Sequence, residues 1–127
     1  MEYYRNNLLA NVAWGTDRRW TAKWHSTSRP ITDFRSADWS KRFHVWRMDW
    51  DADAIRLYVD DQLLNTTELK DTVNGDGSGK NPFRQPHYLL LNLAIGGQSG
   101  GDPSQTRFPA RFEIDYVRVY QKADAAP

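Results

Sequence analysis

The sequence predicts an all-β fold, an antiparallel sandwich, and three observations carry that expectation. Short apolar or alternating runs recur along the chain and are separated by turn-forming residues. No stretch sustains a 3.6-residue apolar period, and no internal repeat is present. Six Trp, six Tyr and five Phe stand against only two Met. Such flat amphipathic rings fill a sandwich core or line a groove that holds a sugar. About six or seven strands joined by hairpins make an antiparallel sandwich.

Length and charge narrow the function classes. At 127 residues the chain is at most one ordinary domain. Seventeen basic residues against sixteen acidic ones leave a formal charge of +1, so nucleic acid is not expected as a partner. Without cysteine there is no disulfide framework, thiolate metal site or cysteine nucleophile. No run is long and apolar enough to cross a membrane, and residues 1–20 lack the apolar core of a signal peptide.

The first element is a hairpin. Met1-Glu2-Tyr3-Tyr4 enters structure at once, Arg5-Asn6-Asn7 suits a tight turn, and Leu8 to Trp14 (LLANVAW) is the second strand. Thr16 to Lys41 reads mostly as loop, although it carries Trp20 and Trp24. Phe43 to Trp50 (FHVWRMDW) reads as a strand with mixed faces, and Asp51-Ala52-Asp53 as a turn. Ala54 to Asp60 alternates cleanly, with Ile55, Leu57 and Val59 on one side; Asp60-Asp61 turns the chain into Gln62 to Thr66. Asp71 to Pro82 is a loop by composition.

The chain is organised around Arg84 to Gly97, RQPHYLLLNLAIGG. Its run Tyr88 to Ile95, between Pro86 and Gly96-Gly97, predicts a strand covered on both faces. Leu90, Asn92 and Ala94 would share one face and Leu89, Leu91 and Leu93 the other. The leucine face suits the core, and the Asn92 face suits the floor of a site, because a buried amide needs hydrogen-bond partners. Gly97 to Pro109 is a polar loop, Phe112 to Gln121 the last strand, and 122–127 a frayed tail.

Four segments, MEYY, FHVWRMDWDADAIRLYVDD, NPFRQPHYLLLNLAIGG and FEIDYVRVYQ, taken in order, resemble the C-terminal half of glycoside hydrolase family 16, the laminarinase, lichenase and agarase group. The resemblance covers residues 1–121. It implies a jelly-roll sandwich of the concanavalin A-like type, of which this chain is about half, with a sugar-binding cleft across the concave sheet. It also implies a retaining endo-glycosidase acting on β-glucan or a related polysaccharide, secreted or periplasmic in its full-length parent.

The family's catalytic strand reads E-x-D-x-x-E, and Met1-Glu2 matches its last two letters. In a regular strand alternate residues face one way, so the last carboxylate joins the first two only through a bulge. By this resemblance Glu2 is the general acid/base, while the nucleophile and the aspartate would precede Met1. The expected separation for retention is about 5–5.5 Å. The isolated chain is then expected to be catalytically incomplete. The competing reading is a non-catalytic carbohydrate-binding, lectin-like sandwich with the same groove and tryptophans.

The remaining candidates contact substrate in this reading. Asn92 would floor the cleft, with Gln85 at the strand entry; His44 and Trp46 share a face of their strand; Trp14 with Trp20 or Trp24 would stack on the C–H faces of sugar rings. Where laminarinases often carry a His beside Trp14, this chain has Ala13. Asp115, in FEIDYVRVY, matches a family position that helps hold a structural calcium in the full-length parent; no cofactor is required for catalysis. Each of these residues also has a packing or loop-bonding explanation. A sheet without its partner strands is further expected to self-associate through exposed apolar faces and edges.

Overall fold

A computed structural model describes residues 1–4, 6–97 and 101–123, with Glu2, Tyr3 and Tyr4 described at the backbone. The chain forms two units, Met1–Leu91 and Asn92–Pro127. All described strands lie in the first. They form two antiparallel three-stranded sheets, β1 (Glu2–Tyr4), β2 (Asn7–Gly15) and β3 (Ala22–Pro30), then β4 (Trp46–Trp50), β5 (Ala54–Val59) and β6 (Gln62–Glu68). Short 3-10 turns are the other regular elements among the described residues.

The alternation of β2 builds the core. Leu8, Ala10, Val12 and Trp14 are buried, while the residues between them are half-buried on the opposite face. From the second sheet Ile55, Leu57, Val59 and Leu64 join Leu8, Ala10 and Val12 in one apolar cluster, together with Trp39 and Leu69. The inward set Ile55, Leu57 and Val59 is the one read from the sequence. Between β5 and β6 a register shift at Leu57/Tyr58 sets Leu57 opposite Asn65 and Tyr58 opposite Leu63, so Leu64 and Asn65 are both buried.

A buried polar cluster ties the sheets together. Asn65 Nδ2 donates to the carbonyls of Ala10 (2.8 Å) and His25 (3.2 Å), and Asn65 Oδ1 accepts from the Thr67 hydroxyl at 3.0 Å. With its proton given to Asn65, Thr67 Oγ1 accepts from His25 Nδ1 at 2.9 Å. A buried amide is tolerated because its polar atoms are met.

Turn chemistry fixes the second sheet. Asp60 and Asp61 have φ of 46° and 63°, the left-handed pair of a two-residue hairpin that joins Val59 to Gln62. At the β4–β5 turn, Asp51 Oδ1 accepts from the backbone N–H of Asp53 and Ala54, both at 2.8 Å, and Oδ2 from Arg56 at 2.8 Å. These bonds, led by the Ala54 and Asp53 amides, draw the Asp51 carboxyl down to about 2. The folded value lies below the unfolded one, so this contribution is present above the ordinary Asp range near 3.9 and is lost as pH falls towards 2. The wild type should therefore lose more stability between pH 4 and pH 2 than Asp51→Ala does, read from denaturant midpoints at each pH.

Three expectations from the sequence are corrected. Thr16 to Lys41 is not mostly loop: Ala22–Pro30 pairs along its whole length with β2, from Asn7↔Pro30 to Gly15↔Ala22. Its period was hidden because it is an exposed edge strand with polar residues on both faces. Phe43 to Val45 precedes β4, which begins at Trp46. Tyr88 to Ile95 and Phe112 to Gln121 form no strand, and Leu90 and Val119 are 76% and 75% exposed. An apolar run becomes a buried strand only when neighbours pair its edges and layers cover its faces, and the described residues give these two runs neither.

Candidate functional site

The outward face of the first sheet carries a polar–aromatic recess. Because β2 buries Leu8, Ala10, Val12 and Trp14, its other face presents Leu9, Asn11 and Ala13. Register sets Leu9 opposite Ser28, Asn11 opposite Ser26, and Ala13 opposite Trp24 on β3. Directly opposed residues share a face, so a strip of amide, hydroxyls and indole runs across these strands. Met1, Leu9, Asn11 and Trp24 line a recess of about 250 Å³. Glu2 stands opposite Leu9 in the β1–β2 pairing, in the Leu9–Ser28 row; its side chain lies outside the described residues.

Asn11 gives this recess its chemistry. Its Oδ1 is enclosed and meets no hydrogen-bond donor among the described residues. An enclosed acceptor without a donor costs about 1–3 kcal/mol, which sets Asn11 apart from the other residues lining the recess. Trp24, 61% exposed, offers an indole face beside it. Aromatic faces with a few placed polar groups are the usual makings of a small-ligand site.

The other predicted site residues are dispersed. Trp14 packs on the inward face, opposite in direction to Trp24, with the Lys23 ammonium 5.5 Å from its ring centroid. It lines a second recess of about 440 Å³ with Thr16, Asp17, Lys23 and Asp71. Trp20 projects from the β2–β3 turn. His44 is held at both ring nitrogens, Nε2 to the Trp39 carbonyl (2.6 Å) and Nδ1 to Asp60 (2.5 Å), and stacks on Trp39 at 3.7 Å. Trp46 meets the same Trp39 edge-on at 6.2 Å. Gln85 is exposed, its N–H bonded to the Pro82 carbonyl at 3.2 Å. Asn92, at the start of the second unit, is exposed and on no strand, so it does not lie on the buried strand expected of it. Asp115 is exposed, and no cluster of three or more His, Cys, Asp or Glu fit to hold a metal occurs among the described residues.

Sequence reasoning missed Asn11 and Asn65. The signal for Asn11 was readable: the L-x-A-x-V-x-W alternation of β2 puts it on the outward face with Ala13. Asn65 carried no signal, because its burial depends on the β5–β6 bulge.

Comparison with known proteins fixes the family. Residues 18–118 match the family model described as glycosyl hydrolases family 16. A β-glucanase of Rhodothermus marinus is 38% identical over 84 residues, which is 62% of this chain and 29% of that protein. A β-1,3-glucan-binding protein of Penaeus monodon is 30% identical over 112 residues, covering 75% of this chain and 31% of the relative. A keratan-sulfate endo-1,4-β-galactosidase of Sphingobacterium multivorum is 35% identical over 96 residues, 76% of this chain and 21% of the relative. Among solved structures, one from work on the endo-acting O-glycanases with which human gut bacteria initiate mucin breakdown aligns with TM-score 0.51 and 28% identity. It covers 64% of this chain and 27% of its own. The chain thus spans under a third of the β-glucanase it matches. It belongs to glycosyl hydrolases family 16.

Proposed function

We propose that residues 1–121 are the C-terminal part of a retaining endo-glycosidase domain that hydrolyses a β-linked polysaccharide, with Glu2 as its general acid/base. The observation that carries this reading is the register of β1 on β2. It pairs Glu2 with Leu9, whose side chain lines the recess of Asn11 and Trp24, and this supports Glu2 as the residue beside a bound glycan. Relatives named for β-glucan and for β-galactan support a β-linked glycan as the substrate class.

In this mechanism the substrate lies along the outward face of the first sheet, a ring stacked on Trp24 and a hydroxyl donating to Asn11 Oδ1. Glu2 protonates the departing glycosidic oxygen while a carboxylate from the preceding part of the motif attacks the anomeric carbon. Glu2 then removes a proton from the water that releases the sugar, regenerating its acid form. The nucleophile belongs to sequence before Met1, so the chain alone should not turn over laminarin, whereas the chain joined to an upstream E-x-D-x strand should. Turnover by the chain alone would contradict the assignment of the nucleophile.

A second reading, a non-catalytic carbohydrate-binding sandwich, is favoured by the relative named as a β-1,3-glucan-binding protein. It needs the same recess but no upstream carboxylate. Failure of the extended chain to hydrolyse any β-glycan while it still binds laminarin would select it.

Self-association of the isolated chain is the behaviour its exposed apolar side chains lead us to expect. Leu89, Leu90, Leu91, Leu93 and Ile95 are each about half or more exposed, as are Val117 and Val119. A contiguous exposed apolar stretch of this kind favours association. Sedimentation velocity should show dimers or larger species that increase with concentration, and a concentration-independent monomer would contradict this.

A further inference from the structure

The turn between β2 and β3 is built to hold an exposed indole in a costly conformation. Its base is tied by a short contact between the Thr16 and Thr21 hydroxyls. Within it the Arg18 N–H donates to Thr16 Oγ1 (3.1 Å), and the Arg18 carbonyl accepts from the Thr21 hydroxyl (2.7 Å) and the Thr21 N–H (3.2 Å). At its tip Trp20 has φ of 64° and is 90% exposed. A bulky side chain in the left-handed region is a backbone outlier, and an indole in water forgoes its burial. Backbone outliers of this kind cluster at ligand-binding positions.

The charge around the indole is one-sided. The Arg19 guanidinium lies 5.1 Å from the Trp20 ring centroid. From Thr16 to Lys23 there are three cations, Arg18, Arg19 and Lys23, and one carboxylate, Asp17, a local excess of +2 in a chain whose total is +1. No ion pair to Arg18, Arg19 or Lys23 occurs among the described residues. The tip closes the hairpin whose outward face carries Asn11 and Trp24, so a glycan lying along that face runs towards it.

We infer that the β2–β3 tip is a binding site for an acidic glycan, in which Arg18 and Arg19 meet a sulfate or carboxylate and the Trp20 ring stacks under an adjoining sugar. Guanidinium forks fit oxyanions with charge-assisted hydrogen bonds, and an indole face takes the C–H face of a pyranose. A nucleic-acid duplex fits less well, because it calls for an extended basic stripe rather than one turn. This inference rests on the polysaccharide reading above but adds a charge preference that reading does not require.

Titration of the chain, followed by tryptophan fluorescence, tests it with four probes: a keratan-sulfate tetrasaccharide, its desulfated form, an oligouronate and laminarihexaose. The expected result is at least about tenfold tighter binding of one acidic probe than of the desulfated one, weakening with added salt. Which acidic probe binds identifies sulfate or carboxylate as the group recognised. The preference should vanish in Arg18→Ala/Arg19→Ala, with Arg19→Gln as the milder variant, and Trp20→Ala should weaken charged and uncharged probes alike. Equal affinities, no binding of either acidic probe, a preference that survives the double variant, or equal affinity for duplex DNA would each overturn it. Binding of laminarihexaose without any charge preference would sink this inference and leave the polysaccharide reading standing.

Discussion

If Glu2 is the general acid/base, replacing it by Gln in the chain joined to an E-x-D-x strand should lower laminarin turnover by roughly 10²–10⁴-fold, the usual contribution of general acid/base catalysis. The exchange keeps size and hydrogen-bonding reach but removes the proton that the glycosidic oxygen must receive. The loss should fall on kcat, because glutamine still occupies the Leu9 row beside Asn11 and Trp24. It should shrink for aryl glycosides whose leaving group departs without protonation. Steady-state kinetics on both substrates measure the difference. A variant retaining full laminarin activity would remove Glu2 from the mechanism.

Asn65→Leu should cost about 2–4 kcal/mol, the largest stability effect expected of a single polar residue in the first unit. The amide is buried between the two three-stranded sheets and meets Ala10 O, His25 O and the Thr67 hydroxyl. Without it two strand carbonyls lose a donor, and the Thr67 hydroxyl loses the acceptor that orients it towards His25. Leucine does not repair this, since it meets none of the three and its larger side chain must also be accommodated in a packed interior. Denaturant unfolding gives the cost, with Thr66→Ala, a half-buried neighbour, as a control expected within about 0.5 kcal/mol. A change at Asn65 no larger than at Thr66 would show that the two sheets are held by apolar packing alone.

The elements that were legible in the sequence are those whose faces differ in polarity. β2 and β5 alternate between core and outside, and the Asp51 and Asp60-Asp61 turns carry residues whose side chains or φ values make turns. β3 was missed because both of its faces are polar: Lys23, His25 and Arg29 alternate with Trp24, Ser26 and Ser28. The opposite error arose at Tyr88 to Ile95, where apolar side chains on both faces promise a central strand. Such a strand depends wholly on neighbours, and hydrophobic pattern cannot say whether they are at hand.

The recess was legible in part for the same reason. Trp24, which lines it, was among the residues singled out from the sequence, whereas Asn11 was passed over inside an apolar run, and Asn92, the amide singled out instead, lies exposed. His44 illustrates a third limit. A histidine in an aromatic strand invites a substrate role, yet its ring is fixed between the Trp39 carbonyl and Asp60, bonds that join residues five and sixteen positions apart. The Trp39–His44–Trp46 ring cluster it anchors is a packing feature joined to the core through buried Trp39.

The role of Glu2 is tested most directly by the anomeric form of an azide-rescue product. Glu2→Ala in the extended chain, given an aryl β-laminari-oligoside and sodium azide, still forms the covalent glycosyl intermediate, and azide needs no base to attack it. Two displacements at the anomeric carbon return the starting configuration. The β-glycosyl azide, identified by proton NMR, is the expected product. An α-glycosyl azide would make Glu2 the nucleophile, and absence of rescue would leave it without a catalytic role.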